Sequence, residues 1–181
     1  MRDPVAAWHE EHEFFERLLG QLESELAAFH AGESPNYALM LDIVTYLRHY
    51  PDRLHHPRED ATFDFLLRHD PSLRKQIEHL RAEHHQIAVA GDTLLVTLNE
   101  IVDGAMLARE QLETEVRAYL ALYRQHLEAE ESGVMPRARE LLTAKEWDAA
   151  AKSVPHEPDA LFGEDFEERY RELRRQIALS T

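Results

Sequence analysis

The sequence predicts an all-α protein, an antiparallel up-down-up-down four-helix bundle with a short C-terminal helical extension. Three observations lead there. Four long stretches carry apolar residues at three- and four-residue spacing, no stretch alternates with the period of a strand, and the breaks between stretches are short enough to make consecutive helices antiparallel neighbours. The first stretch runs from about Pro4 to His30, with Phe15, Leu18, Leu19, Leu22 and Leu26 in its stripe, and Gly32-Glu33-Ser34-Pro35 stops it. The second runs from about Asn36 to His69 and carries Leu39, Ile43, Leu47, Tyr50 and Leu54. Pro51 and Pro57 lie inside it and each removes a backbone donor, which predicts a kink or a loosened turn. Asp70-Pro71-Ser72 reads as a turn. The third helix is expected from about Leu73 to Val102, ended by Asp103-Gly104, and the fourth from about Met106 to Leu142, with Gly133 and Pro136 disturbing its last part.

Residues 1–142 are read as the bundle and 143–181 as the extension. Thr143 is placed to cap a short helix through Ala151, with Glu146 completing a capping box, and Phe166 to Ile177 forms a last amphipathic stretch after the linker Pro155-His156-Glu157-Pro158. Such stretches usually pack on the core or on a partner subunit, a homodimer included. A net charge of −15 repels a phosphate backbone and argues against nucleic acid as a partner. No apolar run approaches the roughly 20 residues that span a bilayer. The start, MRDPVAAWHEEHEFF, lacks the apolar region of a signal peptide, so a cytoplasmic location is expected. Cysteine is absent, so any metal must be held by nitrogen and oxygen. Histidine, with 12 copies, is the unusual component.

Six residues form a repeat. His12 precedes His55 by 43 residues and His84 precedes His126 by 42; Glu59 follows His55 by four, as Glu130 follows His126 by four. Residues four apart on a helix point the same way, so each pair presents an imidazole and a carboxylate to one point. Glu11 precedes His12 as Glu83 precedes His84, and Phe15 and Leu22 match Ile87 and Leu94. Counted along the expected helices, all four histidines fall in one layer of the bundle. Burying so many polar groups is costly unless something pairs with them. A metal pair does so, with His12 and His55 on one ion, His84 and His126 on the other, and Glu59 and Glu130 across both. Such donors suit iron or manganese and are compatible with zinc.

Each choice has a competitor. His9 lies three residues before His12, and His85 beside His84, but neither has the matching apolar followers. His56 and Asp60 share the four-residue spacing of His55 and Glu59, and that alternative stays open. Asp60 and Glu131 are read as solvated neighbours or as carboxylates that orient an imidazole. His30, His49, His69, His79 and His156 have no counterpart in the repeat and are read as surface or helix-end residues. Tyr50, Tyr119 and Tyr123 lie near the ligand layer, where core packing is the expected role.

These residues resemble the hemerythrin-like, or HHE cation-binding, family. The resemblance covers about Ala6 to Leu142 and rests on Glu11-His12, His55-His56-Pro57-Arg58-Glu59-Asp60, Glu83-His84, and the run from His126 through Glu130-Glu131 to Val134-Met135-Pro136, which is similar to the family's His-x-x-x-Glu-Glu-x-x-Leu-Phe-Pro motif. It implies a non-haem di-iron centre, two iron ions with an oxo or hydroxo bridge, that binds or reduces dioxygen, peroxide or nitric oxide in a stress-response or sensing role. The alternative is non-enzymatic: metal storage, delivery or redox sensing through a partner. No separate acid, base or nucleophile stands out, so whether the protein is an enzyme is left open. Oxygen-carrying members have a fifth histidine four residues before the third-helix ligand, where this chain has Leu80. The resemblance therefore implies that the second ion keeps fewer protein ligands and more room for a small molecule.

Overall fold

The computed structural model describes residues 4–106 and 108–154, with positions 161, 170, 171, 173 and 175 of the C-terminal segment. Helix α1 spans Pro4–His30, α2 Tyr37–Tyr50, α3 His56–His69, α4 Arg74–Val102, α5 Arg109–Ala129, α6 Met135–Leu141 and α7 Ala144–Lys152. Two π-helical turns, Pro51–His55 and Glu130–Val134, join α2 to α3 and α5 to α6 without a break, and a 3₁₀ turn at Pro71–Leu73 leads into α4. The four legs are thus α1, α2 with α3, α4, and α5 with α6. They close into a ring in which α1 touches α2 and α5, and α4 touches the same two helices. This is the all-α bundle with a short extension that the periodicity predicts.

The ends of the legs follow from local chemistry. After α1, Gly32 takes φ 81° and Glu33 N–H donates to Ala28 O at 3.0 Å; after α4, Gly104 takes φ 94° and Ala105 N–H donates to Glu100 O at 2.8 Å. Both are glycine caps of the Schellman type, in which only a residue without Cβ turns left-handed cheaply. Asn36 caps α2 by accepting from Leu39 N–H at 3.0 Å. The fourth leg begins at Arg109, three residues later than the expected Met106. Met106 is fully exposed, so its apolar side chain gives no reason to start the helix there, and Leu112 is the first buried residue of α5. The Thr143 capping box at the start of α7 is present as expected.

The core has two parts. One, nearer the Gly32 and Gly104 turns, is built around Leu22, Leu26, Met40, Ile43, Leu94 and Val116. The other gathers Val5, Trp8, Phe63, Ile77, Leu80 and Met135 at the opposite end. A full burial of each Leu, Ile or Phe contributes about 1.5–3 kcal/mol, so these two clusters carry the fold. Helix α7 lies against α3, held by His69 Nε2 to Glu146 Oε1 at 2.8 Å and by Trp147 against Trp8 with ring centres 6.2 Å apart. Most of the expected helix Phe166 to Ile177 lies outside the described residues, although Tyr170 and Leu173 are buried in the first cluster. Among the described residues, no helix is long and apolar enough to cross a membrane.

Candidate metal centre

A polar layer lies between the two apolar clusters. All six residues of the repeat reach it and all are buried: His12 from α1, His55 from the end of the first π-turn, Glu59 from α3, His84 from α4, His126 from α5 and Glu130 from the second π-turn. Their donor atoms converge. His12 Nε2 is 3.0 Å from His55 Nε2 and 3.4 Å from both Glu59 Oε1 and Glu130 Oε2. Across the layer, His84 Nε2 is 3.3 Å from Glu59 Oε2, and His126 Nε2 is 3.5 Å from Glu130 Oε2. Among the described residues two ligand groups result, each with one donor atom per residue and all donors within 4.8 Å: His12, His55, Glu59 and Glu130, and His56, Glu59, His84 and His126. Glu59 belongs to both.

His56 is the residue that sequence reasoning did not place in the set. The choice between His55/Glu59 and His56/Asp60 dissolves, because both histidines and Glu59 reach the layer while Asp60 stays partly exposed outside it. In an α-helix, adjacent side chains diverge by about 100°. That divergence suits two metal positions side by side, so His55 faces the first group and His56 the second, stacked on His84 with ring centres 4.2 Å apart. The expectation from Leu80, that the second ion keeps fewer protein ligands, is corrected on the same ground. Leu80 is indeed fully buried core, but His56 brings the missing imidazole from a different helix. The asymmetry therefore runs between two imidazoles in the first group and three in the second.

The π-turn also explains the unequal repeat. His12 stands 18 residues before the end of α1 and His84 18 before the end of α4, and the following turns have equal length. His55, however, lies 18 residues after the start of α2, and His126 only 17 after the start of α5. A π-turn accommodates about one residue more than an α-turn. The extra residue that makes 43 of 42 is taken up at Pro51–His55, where Pro51 and Pro57 had predicted a loosened turn.

A carboxylate faces each of the five imidazoles from behind. His12 Nδ1 donates to Glu131 Oε1 at 2.9 Å, His55 Nδ1 donates to Glu11, and His126 Nδ1 lies 3.3 Å from Glu83 Oε2. His56 Nδ1 lies 2.9 Å from Asp52 Oδ1, and His84 Nδ1 3.5 Å from Asp60 Oδ1. Glu11 and Glu83 occupy matching places in the repeat, as do Asp60 and Glu131, so four of the five contacts obey its symmetry. Such contacts turn Nε2 inward and raise the basicity of the imidazole. Glu131 also accepts from His9, at 2.8 Å, which places His9 outside the layer. His79 is exposed, 3.3 Å from Glu83.

The charges are strongly coupled. Burial alone would lower His12, but Glu131, Glu59 and Glu130 outweigh it and raise the residue to about 10. His84 is raised to about 12 against burial by Asp60, Glu130 and Glu59, and His55 is raised against burial by Glu59 and Glu11. His56 is different: burial, with His84 adding to it and Asp52 opposing, pushes it down to about 4. Burial raises Glu59, but His55, His12 and His84 overcome it and hold the carboxyl well below its usual range. Without metal, protons on imidazoles stand where cations would.

Protons leave the layer incompletely paired. Glu59 Oε2, both nitrogens of His84, His126 Nε2 and both oxygens of Glu130 are buried with no hydrogen-bond partner. Each such atom costs about 1–3 kcal/mol, and six of them would rival the roughly 5–15 kcal/mol that holds a domain together. Two divalent cations relieve that cost, and a nitrogen and oxygen donor set fits them. Tyr119 and Tyr123 are packed in the adjoining core, as expected, with buried hydroxyls that burial holds well above their ordinary pKa.

No curated protein and no solved structure matches the chain. The family described as Hemerythrin HHE cation binding domain matches residues 3–138, a span that contains every residue of the two ligand groups and ends before α7. With a four-leg bundle and a binuclear His/Glu metal site inside that span, the chain belongs to the hemerythrin HHE cation-binding family.

Proposed function

We propose that the protein is a cytoplasmic non-haem di-iron protein that binds or reduces a small oxidant, dioxygen, peroxide or nitric oxide, in a stress-response or sensing role. The observation that carries this reading is the unequal pair of ligand groups, with two imidazoles beside three around the shared Glu59. His12, His55 and Glu130 with Glu59 would hold one iron, and His56, His84 and His126 with Glu59 the other. When bound, the pair supplies electrons and an acceptor position for the oxidant.

The protein's own residues set where that position lies. In the repeat, Leu127 stands where His56 stands, and Trp8 stands where Leu80 stands. Neither offers a ligand atom, so the first group has two imidazoles where the second has three, and a small ligand is expected at the first. The five outer carboxylates fix the imidazoles and add negative charge near the centre, which favours the more oxidised metal state. The apolar clusters on both sides keep bulk water away.

Metal analysis of protein purified without added metal, followed by visible absorption spectra of the oxidised form with and without azide, tests the proposal. About two irons per chain are expected, with charge-transfer bands that change when azide is added. Less than about one ion per chain, together with no loss of stability on chelation, overturns the metal centre. A full complement of zinc, with no visible bands, overturns the redox role alone.

A further inference from the structure

Between α1, α3 and α7 lies a cavity of about 200 Å³. Pro4, Ala7 and Trp8 of α1 form one wall, and Trp147, Ala150 and Ala151 of α7 form the other. Its inner end reaches Glu59, the carboxylate common to both ligand groups. Trp8 belongs to the cavity and to the centre at once, since its Nε1–H points at His12 Nε2 from 2.9 Å. Arg58 and Glu11 pair with each other at the cavity's side and Thr62 adds a hydroxyl, so outside Glu59 the remaining lining is apolar.

Two more openings onto the layer, among the described residues, are of a different kind. A surface groove reaches His12 past Glu13, Glu16, Arg17, Arg124 and Glu128, and a cleft of about 150 Å³ reaches His56 and His84 beside Asp52 and Asp60. Charged walls of that sort hold water and ions. The α1/α3/α7 cavity has polar groups on one side only, and its α1 and α7 walls are apolar; apolar walls of this kind hold water weakly and take up benzene or xenon. A small uncharged molecule partitions into the space that water solvates least well.

We propose that the α1/α3/α7 cavity is the entry and holding site for a small uncharged diatomic ligand, and that α7, which lies beyond the family-matched residues, is its outer wall. The proposal rests on the oxidant-binding reading above, since it gives that centre its supply route. The shared chemistry of dioxygen and nitric oxide, small size and lack of charge, is what the cavity selects. Peroxide, which needs hydrogen bonds, is left to the charged groove beside His12.

The test begins with crystals of the full chain under xenon pressure. Xenon is expected in the cavity lined by Ala7, Trp8, Trp147 and Ala150; none there overturns the proposal. Ala150→Phe and Ala7→Leu each fill the cavity from a different helix, so that one serves if the other fails to fold. In a variant that folds with unchanged metal content, xenon should be lost and the rates of reaction of the reduced protein with dioxygen and with nitric oxide should fall several-fold, while the rate with hydrogen peroxide stays put. Unchanged rates with the diatomics, or equal slowing of all three oxidants, overturn the route. Xenon occupancy does not depend on metal, whereas metal content measured on the same preparations judges the centre itself, so the two failures are told apart.

Discussion

His56 stands next to His55, and helical periodicity alone gives no reason for both to face one layer. The pair becomes intelligible once the layer is wide enough for two ions, each taking one histidine. In the sequence, the four-residue rule assigned a carboxylate to His55 and another to His56 and so set the two in competition. The pair of ions was already expected, and the physical error lay in letting each leg of the bundle give its histidine to one ion only. His12, His84, His126, Glu59 and Glu130 were legible because each also obeyed the repeat, whereas His56 has Leu127 as its counterpart and breaks it. A substitution separates its role from general packing. His56→Leu should lower the metal content from about two ions per chain towards one. Asp52→Asn, which keeps the shape but removes the charge behind His56, should weaken the second ion's affinity by about 10–100-fold. Competitive titration with a chelator measures both, and unaltered affinity in the leucine variant would remove His56 from the centre.

At the scale of elements, the helix ends at Gly32 and Gly104 and the caps at Asn36 and Thr143 could be read directly, because each depends on a few adjacent residues. The start of α5 could not, since Ala108 offers no capping side chain and Met106 turns to solvent. The two prolines announced a disturbance near His55 without saying which kind. The structure shows a widened turn, and with it a reason for the 43-residue spacing. Deleting the exposed Arg53 should convert the π-turn to an ordinary α-turn and leave α2 and α3 in nearly their present phase, because the turn takes up one residue without rotating the legs. The apolar stripe of α2 and the run His55–Glu59 then both stay in the interior, at the 42-residue spacing of the second half. The expected product is a protein with native helical circular dichroism that retains both ions. A deletion variant that folds but holds fewer ions per chain would show that the turn does more than absorb the extra residue.

For the whole molecule, the important arrangement is a charged layer held between two apolar clusters, so folding and metal binding are one problem. The sign of the pH dependence follows from the buried histidines. An imidazole titrates near 6.5 in the unfolded chain. His12, raised to about 10 in the metal-free fold, and His84, raised to about 12, contribute stability that is complete below about pH 6.5 and is lost as pH rises through those values. His56, pushed down to about 4, acts the other way: the unfolded chain takes up its proton first, so stability falls as pH drops from about 6.5 towards 4. Metal ions must displace the protons on His12, His55 and His84, so metal affinity should rise with pH and loading should release protons. The metal-free protein should therefore lose thermal stability between about pH 6.5 and 9, while the loaded protein, whose imidazoles hold cations instead of protons, should change little over the same interval. Thermal melts of both forms across that range, paired with metal titration in weakly buffered solution to count the protons released, check each half of the argument. Metal-free stability that climbed across the interval, or loading without proton release, would mean that the layer is not held by protonated imidazoles when empty.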